Sequence, residues 1–182
     1  MLHVVIGGSG SGKSAWAEAE AVRLAREKGA DLDRYYIATM ESQSPEAAER
    51  IRRHRQLRAG KGFQTIECPV GLECLAEKIG RGLAEKPVAL LECMSNLAAN
   101  EIYRPDGAGE EAQERILLGV EKLCRACAHV VIVTNEVCSE GGRVSAKMGH
   151  YQRVLSRINI CLARQAERVT EIVYGIPVEV KR

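Results

Sequence analysis

The run Gly7-Gly8-Ser9-Gly10-Ser11-Gly12-Lys13-Ser14 stands directly after the short β-branched segment Leu2 to Ile6 and opens into a helical stretch from Lys13 to about Lys28. That order limits the chain more than any other feature does. A strand must end, the backbone must turn sharply and a helix must begin within a few residues. Glycines permit the turn because they lack the Cβ that forbids left-handed angles. The pattern is G-x-x-x-x-G-K-S, in which inward-turned N–H groups and the helix N-terminus form a nest for an anion. Lys13 adds a point charge toward the outer phosphates of a polyphosphate, and the Ser14 hydroxyl is placed to ligate Mg²⁺. The expected ligand is a nucleotide, held beyond the carboxyl end of a strand, where open α/β sheets bind their ligands.

The rest of the chain repeats the alternation of strand and helix. Arg34 to Thr39, Phe63 to Glu67, Pro87 to Cys93 and His129 to Asn135 read as strands. The runs from Pro87 and from His129 are apolar without alternation, so both of their faces are expected to be covered. Helices are expected from Pro45 to about Arg58, Gly71 to Glu85, Met94 to Glu101, Glu110 to Ala126 and about Lys147 to Ala166. Ser44-Pro45-Glu46 has the capping hydroxyl, the proline and the acid of a helix start. Arg104 to Gly109 reads as a loop and Ser139 to Arg143 as a turn-rich break. Arg168 to Tyr174 and Ile176 to Lys181, joined at Gly175, read as a hairpin that ends the sheet in an antiparallel edge. The alternation predicts an α/β fold: a mainly parallel sheet with helices on both faces. With 182 residues and no internal repeat or linker, one nucleotide-binding domain is expected over 1–182.

Composition narrows the function classes. Apolar residues are 46% and charged residues 27% of the chain, as in an ordinary globular protein. A formal net charge of +2 gives no argument for nucleic acid or an acidic membrane as partner. No basic segment followed by an apolar one marks a secretory signal, and no apolar run approaches the ~20 residues needed to span a bilayer. The seven cysteines, an odd number in apolar segments, read as reduced thiols in a cytosol. Cys124 and Cys127 form a lone C-x-x-C, which without a second pair reads as a helix face of small apolar residues.

Two further places carry candidate chemistry. Glu92 ends the run Val88-Ala89-Leu90-Leu91, where an acid can hold Mg²⁺ or its water; the same residue also suits a cap on the next helix. Asn135 and Glu136 end the strand from His129 on the same rim, as substrate contacts or as caps. Arg50-Ile51-Arg52-Arg53-His54-Arg55-Gln56-Leu57-Arg58 sets five arginines around one histidine, with Arg50, His54 and Arg58 on one helix face. Cationic neighbours favour the neutral, nucleophilic imidazole, and arginines beside it suit a triphosphate. Such a histidine can attack an α-phosphate and carry the nucleotidyl group. A solvated basic face is the alternative. A nucleic-acid stripe fits less well, because aromatic residues are 4% of the chain and none interleave here.

At this point the chain resembles the bifunctional adenosylcobinamide kinase / adenosylcobinamide-phosphate guanylyltransferase family. The matching blocks are Gly7 to Ser14, Tyr36-Ile37-Ala38-Thr39, Arg50-Ile51 with His54 and Arg58, Leu90-Leu91-Glu92-Cys93, Asn96-Leu97, Val133-Thr134-Asn135-Glu136-Val137, Arg157-Ile158-Asn159 and Gly175-Ile176-Pro177-Val178. They follow the family's order over almost the whole length. The resemblance implies a RecA-like α/β domain, a cytoplasmic homotrimer, ATP and GTP as substrates with Mg²⁺, and a corrinoid, adenosylcobinamide, as acceptor. It implies two reactions: phosphorylation of the aminopropanol hydroxyl, then GMP transfer from GTP through a guanylyl-histidine. By position, His54 is the guanylylated residue, Lys13 assists catalysis, and Gly7, Gly8, Ser9, Gly10, Ser11, Gly12, Lys13 and Ser14 hold phosphates. Glu92 serves metal and nucleotide with Ser14, and Thr39, Glu41, Arg55, Arg58 and Glu67 fall in or beside nucleotide-holding blocks.

The chain also departs from the family. A glycine-rich Gly-x-Gly-Ile-Val-Pro stretch is replaced by Cys138-Ser139-Glu140-Gly141-Gly142-Arg143-Val144. An Arg-x-Phe-Arg-Asp pattern appears as Gly149-His150-Tyr151-Gln152-Arg153, without its acid, and Gly-Arg-x-Asn-Gln as Ser156-Arg157-Ile158-Asn159-Ile160. Three other readings therefore stand beside the bifunctional one: a kinase with a structural His54, a nucleotide-sensing protein without turnover, and a nucleic-acid-stimulated ATPase using the arginine-rich helix.

Overall fold

The computed structural model describes residues 1–27, 31–41, 45–137 and 145–182, without the side chains of 47, 50 and 57. Strands and helices alternate as β1 Leu2–Gly7, α1 Lys13–Ala25, β2 Arg34–Ala38, α2 Pro45–Leu57, β3 Phe63–Glu67, α3 Leu72–Ala76, β4 Val88–Glu92, α4 Met94–Tyr103, α5 Ala112–Ala126, β5 His129–Asn135, α6 Ala146–Gln165, β6 Arg168–Val173 and β7 Ile176–Lys181. Among the described residues the strands form one sheet in the order β3-β2-β4-β5-β1-β6-β7. Each neighbouring pair is parallel except β6 and β7. Ser44, the turn-rich break at Ser139 to Arg143 and the divergent segment Cys138 to Val144 lie outside the described residues.

The unalternated apolar runs lie in the middle of the sheet. On β4, Val88 and Leu90 pack toward α1 while Ala89 and Leu91 pack with α4, α5 and α6. On β5, Val131 and Val133 join the α1 side, and Val130 and Ile132 the other. All of these side chains are buried, because a parallel sheet needs helices on both faces to satisfy its crossovers. At the far edge, β6 and β7 are joined by Tyr174 and Gly175, both at positive φ (49° and 81°). Two left-handed residues in succession give the hairpin turn whose twist matches its strands.

One helix is much shorter than its sequence predicts. Gly71 to Glu85 reads as continuous helix, but α3 stops at Ala76. Gly80 and Gly82 follow at φ 73° and 80°, left-handed angles that a right-handed helix cannot contain. The apolar residues of the segment still reach the core: Leu72, Ala76 and Ile79 are buried in it.

A polar cluster sits on the α1 side of the sheet. The buried His3 contacts Thr170 Oγ1 through Nε2 at 2.8 Å, and its Nδ1 lies 3.4 Å from Glu20 Oε1. Arg23 Nε donates to Glu20 Oε2 at 2.7 Å. Burial pushes the Glu20 carboxyl up, but Arg23 and His3 beside it outweigh burial and hold it at about 2, below the ordinary 4.5. A carboxyl depressed by folding stabilises the native state above its unfolded pKa and loses that contribution as pH falls through the folded value. Glu20→Gln is therefore expected to lower stability at neutral pH by roughly 2 kcal/mol. In urea unfolding at stepped pH, the gap from the parent should close between pH 4.5 and pH 2.

Candidate active site

Parallel register brings the carboxyl ends of five strands to one rim. Gly7 pairs with Asn135, Val133 with Glu92, Glu92 with Ala38 and Ala38 with Glu67. β5 thus separates the strand that feeds the phosphate loop from the strand that ends in Glu92. Above the rim lies a cleft of about 390 Å³, lined by the loop from Ser9 to Ser14 on one side and by Arg53 and His54 of α2 on the other, with Glu92, Cys93, Asn96 and Asn135 at its floor.

The loop is shaped by close approaches. A Cβ on Gly7 would come within 2.7 Å of the Ile172 carbonyl and of Ser11 Oγ, so only glycine fits between loop and β6. Gly12 caps α1 at φ 90°, in the left-handed region that favours glycine, and no side chain bonds the helix start. The first N–H groups of α1 are left for a ligand, and with the positive end of the helix dipole they attract an anion. Gly175 N–H donates to Ser11 O at 2.8 Å, tying the hairpin turn to the loop. Lys13 Nζ donates to Gly8 O at 2.9 Å, folded back on the loop. Burial lowers the pKa of Lys13, opposed by the nearby Cys93 and Glu92, and leaves the ammonium poorly solvated.

Glu92 faces the loop across the sheet. Ser14 Oγ donates a short hydrogen bond to its Oε1, while its Oε2 is buried without a hydrogen-bond partner. Burial drives the carboxyl up to about 7 from the ordinary 4.5; the Ser14 hydroxyl, Lys13 and Arg58 pull it down and Glu18 pushes it further up. Hydroxyl and carboxylate oxygens suit a hard divalent cation such as Mg²⁺, and the unsatisfied Oε2 is an oxygen such an ion would satisfy. The raised carboxyl is destabilising when ionised: the relative stability it allows below pH 4.5 is lost as pH rises through about 7. Glu92→Gln is expected to be more stable than the parent at pH 8 in the absence of metal, by about 2 kcal/mol in urea unfolding. It should at the same time lose the stabilisation that nucleotide with Mg²⁺ gives the parent.

His54 comes close to the loop although they are distant in sequence. It lines the phosphate cleft and also a narrower cavity of about 60 Å³ behind it, walled by Tyr36, Ile51, Arg58 and Thr65. Arg58 is buried just beyond the end of α2; its guanidinium stacks 4.0 Å over the Tyr36 ring and its Nε donates to Thr65 Oγ1 at 3.2 Å. Arg55 pairs with Glu67 at 3.0 Å on the exposed side of the same cavity. Glu41 pairs with Arg104 at the mouth of the next pocket along α2. Arg50 carries no described side chain, so its place on the His54 face lies outside the description. Thr39 differs from a direct ligand contact. It is fully buried, its Oγ1 donates to Cys93 O at 2.9 Å and accepts from Cys93 N–H at 2.8 Å, and it thereby fixes the segment that carries Glu92.

Three cleft residues carried no firm sequence signal. Arg53 was one of five arginines, Asn96 was only part of a matching block, and Asn135 was open between substrate contact and cap. The structure puts all three on the cleft lining, whereas Glu136 is exposed one residue further on. Its position at the end of a central strand and its place in a matching block are the signals the sequence holds for Asn135.

Known proteins similar to the chain agree with this architecture. Solved structures of the flagellar accessory protein FlaH from Methanocaldococcus jannaschii and of a KaiC-like protein from Pyrococcus horikoshii share the fold at TM-scores of 0.52 and 0.51, each at 13% identity. The first match covers 99% of this chain and 77% of that one; the second covers 93% and 71%. Two curated relatives, each described as bifunctional adenosylcobalamin biosynthesis protein CobU, are 33% identical (Escherichia coli) and 32% identical (Salmonella typhimurium) over the full length of both chains. The family described as cobinamide kinase / cobinamide phosphate guanyltransferase matches residues 3–180. With that match and those full-length relatives, the chain belongs to the cobinamide kinase / cobinamide phosphate guanyltransferase family.

Proposed function

We propose that this chain phosphorylates adenosylcobinamide with a nucleoside triphosphate and then transfers GMP from GTP to the new phosphate through His54. The observation that carries the reading is that the phosphate loop and His54 line one cleft. A triphosphate gripped at its outer phosphates by the loop amides and Lys13 has its α-phosphate within the cleft that His54 lines. A ring nitrogen of His54 bonds to the α-phosphorus, the bond to the α–β bridging oxygen breaks, and pyrophosphate leaves. A phosphate oxygen of the corrinoid then displaces His54 from the phosphorus. Lys13 and the helix N-terminus stabilise the charge that gathers on the leaving phosphates. Ser14 and Glu92 are the residues that would hold Mg²⁺, which when bound neutralises phosphate charge and polarises the phosphorus–oxygen bonds. Arg53 and Arg55 flank His54 with fixed positive charge, and both are exposed.

Two finer points belong to the same proposal. The chain acts as a homotrimer in the cytoplasm, where its nucleotide substrates are. β7 supports self-association: it is the terminal strand of the sheet, and Ile176, Val178 and Val180 on it are 65%, 45% and 62% exposed. These three side chains share one apolar face of the strand, with Glu179 and Lys181 on the other, and an exposed apolar face is a surface that proteins ordinarily cover. No helix among the described residues is long and apolar enough to cross a membrane.

Incubation with adenosylcobinamide, Mg²⁺ and GTP, followed by chromatography of the corrinoid, tests the reading. The expected sequence is a phosphorylated corrinoid followed by its GDP derivative. Accumulation of the phosphate alone leaves a kinase in which His54 is structural. Tight nucleotide binding without either product leaves a binding protein.

A further inference from the structure

Asn135 occupies the gap between the two groups that would grip a transferring phosphate. It ends β5, its register partner on β1 is Gly7 at the start of the phosphate loop, and two residues back Val133 pairs with Glu92. Its side chain is braced. Nδ2 donates to Ser95 Oγ at 2.7 Å, and the backbone carbonyl accepts from Asn159 Nδ2 at 3.2 Å. Asn159 is held in turn by the Thr134 hydroxyl at 2.8 Å. After all this bracing, Oδ1 is buried with no hydrogen-bond partner among the described residues, in a residue that lines the cleft.

A buried amide oxygen left unpaired costs free energy, and native proteins retain few of them. This one is an acceptor beside an anion site. Phosphate oxygens repel it, so its partner must bring a hydrogen. Lys13 is turned to Gly8 O, and Ser14 to Glu92. The acceptor alcohol of the proposed reaction is a donor that must come to this part of the cleft.

We propose that Asn135 Oδ1 accepts a hydrogen bond from the corrinoid hydroxyl and holds its oxygen in line with the γ-phosphorus. The assignment rests on the kinase half of the function proposed above. The hydroxyl oxygen bonds to the γ-phosphorus, and the bond to the β–γ bridging oxygen breaks. The nucleoside diphosphate leaves with that electron pair, and the hydroxyl proton passes to an oxygen of the transferred phosphoryl group and on to water. Asn135 contributes orientation and takes no proton. In guanylylation the nucleophile is His54, so the same residue has no acceptor hydroxyl to hold.

Asn135→Ala and Asn135→Asp separate this role from a structural one. Both half-reactions are measured with each variant: phosphorylation of cobinamide, and labelling of His54 by α-labelled GTP. Asn135→Ala is expected to slow phosphorylation about 100-fold in kcat, with His54 labelling slowed at least about tenfold less and the melting temperature little changed. Asn135→Asp keeps the acceptor oxygen; its negative charge weakens nucleotide binding, but at saturating nucleotide it should recover part of the loss in kcat. The proposal is overturned if Asn135→Ala phosphorylates at the parental rate. Equal loss in both half-reactions overturns it too, because that marks a structural brace. So does a slower Asn135→Asp than Asn135→Ala, which places the amide nitrogen against phosphate. A parent protein that phosphorylates no cobinamide while still labelling on His54 removes the kinase reading itself, whatever the variants do.

Discussion

His54→Ala is expected to abolish the covalent guanylyl-enzyme and to lower GMP transfer by at least about 10³-fold. The expectation follows from geometry, since His54 lines the cleft floored by Glu92, Asn96 and Asn135 and walled by the phosphate loop. Nothing else among the described cleft residues combines a nucleophilic nitrogen with that position: Lys13 is turned to Gly8 O, and Cys93, buried and with its thiol pushed up by burial, is a poor nucleophile. Nucleotide binding should survive the change within a few-fold, because the loop amides and Lys13 remain. Phosphorylation of the corrinoid hydroxyl should survive with it. An acid-labile label from α-labelled GTP, present in the parent and absent in the variant, is the readout.

Lys13→Ala is expected to fail differently. It removes the one ammonium at the phosphate nest, so both half-reactions should fall, each by roughly 10²- to 10³-fold. The folded protein should be little harmed, since Lys13 is mostly buried, is disfavoured there by desolvation, and gives up its bond to Gly8 O and its attraction to Glu92. Loss of activity with an unchanged or slightly higher melting temperature is the expected signature. Lys13→Arg should rescue little, because a planar guanidinium does not fit a nest built around a compact point charge. Paired with His54→Ala, the variant divides the chemistry: one change stops only GMP transfer, the other stops both reactions.

Much of the fold is legible in the sequence, and the reasons are local. The runs Val88 to Leu91 and His129 to Thr134 lack polar alternation, and a strand apolar on both faces has few other places to go than the centre of a parallel sheet. The phosphate loop was readable because its residues are contiguous and each glycine answers a backbone need. The helix from Gly71 failed for the opposite reason. Its apolar spacing was real, and Leu72, Ala76 and Ile79 are all buried, but Gly80 and Gly82 at positive φ bend the chain after one turn of helix. Periodicity reports burial, and it does not report continuity.

The site was half readable. His54 and the loop are forty residues apart in kind as well as in sequence, and only the register of β2, β4, β5 and β1 brings them to one cleft. Thr39 lies in a matching block, and what the fold adds is that its hydroxyl bonds the Cys93 backbone. Arg58 reads as a phosphate clamp in a row of arginines, and in the fold it is a buried wall stacked on Tyr36. The unpaired Oδ1 of Asn135 had no sequence signature, because an orphaned acceptor is defined by what the folded chain fails to supply.

The central claim is that one nucleotide is worked on from two sides, by the phosphate loop and by His54. A crystal structure with a GTP analogue that cannot be cleaved between its α- and β-phosphates tests this most directly. The account expects the outer phosphates on the amides of Gly10 to Ser14 and the α-phosphorus about 3–3.5 Å from a ring nitrogen of His54. An analogue seated on the loop with its α-phosphate turned away from α2, or bound elsewhere with the loop empty, would contradict it.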